Sequence, residues 1–121
     1  MKALRQPGIL LLAAVLANTT FGGAQAQDAA ALVGHWRKTT IRFEEPRDEH
    51  LVLAEDGRMA NWVVTADSRS EPVTGAWRAE GKMLTLEVDE NRVTQPFAFY
   101  QGQLVFPNIP NRRGFWQRIE D

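Results

Sequence analysis

The sequence predicts an all-β fold, an antiparallel up-and-down meander of about eight short strands that closes into a barrel or, alternatively, stays an open barrel or a β-sandwich. Three observations predict it. β-Branched and aromatic runs are punctuated by turn residues every roughly eight to twelve positions, the spacing of all-β domains. In "MLTLEVD", Leu84, Leu86 and Val88 alternate with Thr85, Glu87 and Asp89, the period of a half-buried strand. Finally, nearly every connection has hairpin length, and Asp56-Gly57 between two apolar runs is a strong short hairpin signal.

The elements follow in order. Ala29, Ala30 and Ala31 favour helix, but a helix this short is marginal, so either a single turn or no helix precedes the first strand. The first run, Leu32 to Phe43, is ended by the charged "EEPRDE", which holds Pro46 and reads as a loop. "HLVLA" follows, then the Asp56-Gly57 turn, then "MANWVVT" from Met59 to Thr65 and the polar loop "ADSRSEP". "VTGAWRA" passes through Glu80-Gly81-Lys82 into "MLTLEVD". "ENR" then leads to "VTQPFAFY", where Pro96 demands a bulge or an exposed edge. Gln101-Gly102-Gln103 leads to "LVF", and the loop "PNIPNRRG" precedes the last strand, "FWQRI".

The chain has 121 residues, and its start reads as a secretion leader. Lys2 and Arg5 supply the positive end, Gly8–Ala17 an apolar stretch too short for a membrane span, and Ala24-Gln25-Ala26 a cleavage signal. Residues 1–26 are thus expected to be a signal peptide cleaved after Ala26, and residues 27–121 one domain, periplasmic or secreted, with no transmembrane segment after cleavage. There is no cysteine, so no disulfide can compensate for a small core. Without Lys2 and Arg5, the 14 basic residues become 12 against 15 acidic, a net charge of −3. That balance argues against a nucleic-acid partner, which calls for a basic face.

A glycine-x-tryptophan followed by a cation occurs three times: Gly34-His35-Trp36-Arg37, Gly75-Ala76-Trp77-Arg78 and Gly114-Phe115-Trp116, with Arg118 two residues on. Gly34-x-Trp36 on the first strand and Arg118 on the last resemble the calycin pattern of lipocalins, fatty-acid-binding proteins and avidins, and the chain resembles small exported bacterial lipocalin-like domains. The resemblance implies that Gly34, Trp36 and Arg118 form a structural closure, the arginine lying across the indole where first and last strands meet. It also implies a barrel that binds a small apolar ligand. Four tryptophans in so small a domain serve more readily as core than as pocket. This applies to Trp36 and Trp77 first, while Trp62 and Trp116, flanked by polar residues, fit either role.

No catalytic constellation emerges. The only serines, Ser68 and Ser70, share one polar loop, and the only histidines are His35, beside Trp36, and His50, behind a run of acids. A hydrolase needs a nucleophile, a base and an orienting group together, and no phosphate loop or metal spacing appears. The expectation is a protein that is not an enzyme and has no cofactor or metal. Two binding readings remain. In the first, a small apolar or amphipathic ligand is lined by Leu51, Leu53, Trp62, Val63, Trp77, Leu84, Leu86, Phe97, Phe99 and Phe106, although side chains can fill an eight-stranded barrel completely. In the second, the loops contact an envelope or extracellular protein, with Asn108, Arg112 and Arg113 as the candidate surface. Exported protease inhibitors on small eight-stranded barrels and envelope accessory factors are of that kind.

Overall fold

The computed structural model describes residues 29–120, so the expected leader lies outside the described residues. A single helical turn at residues 29–32 precedes nine strands. These are β1 (Gly34–Arg42), β2 (Glu45–Leu53), β3 (Arg58–Val64), β4 (Val73–Glu80), β5 (Met83–Val88), β6 (Asn91–Pro96), β7 (Ala98–Tyr100), β8 (Gln103–Val105) and β9 (Phe115–Ile119). They form one antiparallel meander sheet in the order β6-β5-β4-β3-β2-β1-β9-β8-β7. First and last strands are neighbours, with Arg118 opposite Trp36.

The sheet is not closed, and its strand count corrects the sequence expectation of about eight. "VTQPFAFY" is two strands, because at Pro96 the chain changes partners. Proline brings no N–H to a ladder. The next N–H, from Phe97, donates to the Lys82 carbonyl at 2.9 Å, while the Pro96 carbonyl accepts from Asn108 N–H at 2.8 Å. β6 and β7 are the two edges of the sheet, yet only Phe97 separates them in the chain. The sheet is therefore an open barrel whose edges are joined covalently.

A second correction concerns "EEPRDE". Glu45–Leu53 is strand β2, and the connection from β1 is only the two residues Phe43 and Glu44. Pairing between β2 and β3 begins at Asp48, so Pro46 sits where no third strand asks for its missing donor. β1 outruns β9 in the same way, since their pairing ends at Arg37. The hairpin end is thus a two-stranded ribbon, exposed on both faces from Thr39 to Arg47. Its turn puts Phe43 and Glu44 at φ of 53° and 67°, the left-handed pair that a tight hairpin turn requires and that Asn-Gly fills best. Each such residue that is not glycine costs about 1–2 kcal/mol.

Inward-facing alternate positions build the core from Leu32, Trp36, Leu51, Leu53, Met59, Trp77, Leu84, Phe97, Leu104, Phe106 and Trp116. The three motif tryptophans belong to it, and each spends its indole N–H on a carbonyl. Trp36 donates to Leu32, Trp77 to Ala54 and Trp116 to Phe106, at 2.7–2.8 Å. A buried indole left unpaired would lose much of what its burial gains. The glycine two residues earlier makes room for a neighbour: a Cβ at Gly34, where φ is 149°, would meet the Arg118 guanidinium, and one at Gly75 would meet the Glu87 carbonyl oxygen.

Between β1 and β9, the cation two residues past each tryptophan lies over the tryptophan of the other strand. The Arg118 guanidinium lies 4.3 Å from the centroid of Trp36, and the Lys38 ammonium 4.9 Å from that of Trp116. Arg118 also donates to the carbonyls of Ala31 and Val33, both at 2.8 Å, tying the helical turn to the last strand.

Candidate functional site

The residues expected to line an internal cavity do not act as one set. Leu51, Leu53, Trp77, Leu84, Phe97 and Phe106 are buried in the core cluster and packed against each other, with Leu86 at its margin. Val63 is half-buried, opposite Glu49. Trp62 is one position out of phase and lies on the outer face of the sheet.

Phe99 turns its ring inward, with centroids 6.3 Å from Trp36 and 5.8 Å from Phe97, and only borders an outer pocket of about 440 Å³ that it shares with the loop residues Asn108 and Arg113 and with Ala98, Tyr100, Val105 and Phe115. The register explains how three strands reach it. Ala98 stands opposite Val105 and Val105 opposite Phe115, so one residue from each of β7, β8 and β9 points out of the barrel at the same height. Val105 is only 3% exposed although it is absent from the core cluster. It is the floor of the pocket, covered by the pocket's own walls.

Tyr100 and Phe115 stand at 57% and 46% exposure, so the mouth presents aromatic surface to water. Arg113 is the one cation among these lining residues, and its Nε–H donates to the Asn108 side-chain oxygen at 2.9 Å. Asn108 is itself fixed by its backbone bond to Pro96. A small apolar pocket with one oriented guanidinium has the make-up of a site for an amphipathic ligand with an acid group. The third loop candidate, Arg112, lies in an adjoining groove of about 380 Å³ with Lys38, Thr39, Thr40 and Pro107, which shares Arg113 and Phe115 with the pocket.

A second cluster lies on the outer face of β1–β3. His35 Nε2 and His50 Nδ1 are 2.8 Å apart, and His50 stacks on Trp62 with ring centroids 5.0 Å apart at 3°. The guanidinium of Arg69, 5.2 Å from the Trp62 centroid, covers the same indole. Residues 65–70 are folded back onto β3 to bring it there: Ser70 N–H donates to the Val63 carbonyl, and Val63 N–H to the Ser70 hydroxyl, both at 2.9 Å. The two imidazoles share one hydrogen bond, so one ring must accept. Burial holds His50 below the usual imidazole range, His35 and the guanidinium groups of Arg37 and Arg69 push the same way, and Asp48 opposes them.

Protonation of His50 is thus harder folded than unfolded. Near its unfolded value of about 6.5 the unfolded chain binds more protons, so stability falls as pH drops through that value and rises above it. We expect the midpoint of thermal unfolding to decrease between about pH 7.5 and pH 5.5, and His50→Gln to flatten that slope in a calorimetric pH series.

The alternation behind the pocket is readable once β7–β9 are placed, but Tyr100, Val105 and Phe115 were not singled out from sequence. The histidine pair needs the register that sets Arg37 opposite His50. No protein-family model, no curated protein and no solved structure matches the chain. Among the described residues no helix is long and apolar enough to cross a membrane.

Proposed function

We propose that the protein is an exported, non-enzymatic binding module of lipocalin-like build that takes a small amphipathic ligand, an apolar group ending in a carboxylate or similar anion. The ligand site is the outer pocket over Val105 rather than the interior of the barrel. The observation that carries the reading is the pocket itself: Ala98, Tyr100 and Phe115 give apolar walls over Val105, and Arg113, held by Asn108, gives one fixed cation. Export rests on the leader-like residues 1–26, and the lipocalin likeness on Trp36 beneath Arg118. In the non-enzymatic reading the two serines serve the fold of their loop: the Ser68 hydroxyl bonds to that of Thr65, and the Ser70 hydroxyl accepts from the Val63 amide of β3.

Octanoate is a suitable probe, with octanol as its uncharged counterpart. Calorimetric titration is expected to show octanoate binding that Arg113→Ala weakens about tenfold, the loss of one charge-assisted hydrogen bond. Octanol binding should be nearly unchanged by the same substitution. Equal weakening of both, or no octanoate binding by the wild type, would remove the reading.

A further inference from the structure

The hairpin tip is an odd place for the residues it holds. Ile41 is 74% exposed and Phe43 91% exposed, so neither ring nor branched chain contributes burial to the fold. Phe43 also sits in a left-handed conformation that is a steric outlier for a bulky residue. Such costs persist where a side chain is needed for something outside the packing that surrounds it. The turn holds the ring away from the body of the protein, followed at once by the carboxylates of Glu44 and Glu45.

We propose that this tip docks into the Val105 pocket of a second copy of the chain. The two surfaces are complementary in kind: an aromatic ring followed by acids on the tip, and apolar walls flanked by Arg113 and Arg112 at the socket. They also lie side by side. The groove that adjoins the pocket is bounded by Lys38, Thr39 and Thr40 of the hairpin stem, so the base of the tip and the rim of the socket share one face. Two copies facing each other across a two-fold axis exchange tips, each contact made twice, which is how a closed dimer is built. The free edge of β1 beyond Arg37, where β9 has left the ladder, runs along the same face.

The inference uses the pocket of the proposed ligand site but does not need its ligand. It does tie the two together, since a ring followed by a carboxylate on the tip has the chemistry proposed for the ligand. Octanoate and the tip then compete for one socket.

The test is sedimentation velocity on protein purified after expression of the full chain, from about 10 μM to about 1 mM, the range of weak association. The expected result is a weight-average mass that rises with concentration towards a dimer. Phe43→Asn with Glu44→Gly, which suits the turn better and so leaves folding intact, should raise the dissociation constant at least tenfold. Arg113→Glu should do the same, and Glu44→Arg added to Arg113→Glu should restore association. A wild type that stays monomeric throughout, or self-association unchanged in the Phe43→Asn, Glu44→Gly variant, overturns the proposal. Octanoate binding by that variant is measured alongside. If it binds octanoate while the wild type stays monomeric, the tip is wrong and the ligand site stands. Association that responds to these substitutions in a protein that binds no octanoate supports the tip and removes the ligand reading.

Discussion

Replacing Trp36 by alanine is expected to lower the unfolding free energy by about 3–5 kcal/mol, the range for large aromatic truncations in cores. Three losses coincide at this position. The side chain is fully buried among the residues of the central cluster, its indole N–H leaves the Leu32 carbonyl without a partner, and Arg118 loses the ring beneath it. Domains of this size have about 5–15 kcal/mol to lose, so the variant keeps little stability if the wild type lies at the low end of that range. Arg118→Ala isolates the third loss together with two hydrogen bonds at the surface, and is expected to cost about 1–2 kcal/mol. Urea denaturation of both variants checks the ranking. Equal costs would mean that the seam between β1 and β9 is held by the arginine rather than by the packed indole.

Gly75→Ala should cost about 3 kcal/mol, at the upper end for overpacking. The added methyl group points at the Glu87 carbonyl oxygen and the Val88 side chain. Neither can move away easily: Glu87 is part of the β4–β5 ladder, opposite Ala76, and Val88 packs against the core. Thr74→Ala one residue earlier is the control, because Thr74 is exposed and such changes usually stay within about 0.5 kcal/mol. Melting curves of the two variants give the comparison. A Gly75→Ala protein as stable as the control would show that the glycine of the repeated motif is not there for the close approach of β5.

Most of the fold was legible because short-range signals agree with one another. The Asp56-Gly57 turn, the alternation of Leu84, Leu86 and Val88, and the last strand from Phe115 to Ile119 all fall where local chemistry places them. The first and last strands pair as expected, which brings Gly34, Trp36 and Arg118 together. Residues 44–49 were misread for a physical reason. A ribbon with water on both faces needs no apolar alternation, so a strand there has the composition of a loop, and Pro46 completes the disguise. The division of β6 from β7 was signalled by Pro96, but its consequence depends on Lys82 and Asn108, distant partners that no local pattern reveals.

The candidate site was legible only in fragments. Phe99 was picked out as an apolar liner, and Asn108 and Arg113 as loop residues, under two different readings. The fold puts all three around one pocket. What sequence could not supply was the alignment of Ala98, Val105 and Phe115 across three strands, which follows from sheet order and register rather than from any spacing along the chain. The same holds for His35 and His50, fifteen residues apart and joined by one hydrogen bond.

If the proposed ligand sits on the outside of the barrel and the inside is filled by side chains, a methyl- and amide-resolved NMR titration with octanoate separates the two faces. Shift changes are predicted at Ala98, Phe99, Tyr100, Val105, Arg113 and Phe115, with Leu51, Leu53 and Leu84 left at their ligand-free positions. Changes centred on Leu51, Leu53 and Leu84, with Val105 and Phe115 silent, would contradict that placement and return the ligand to the interior.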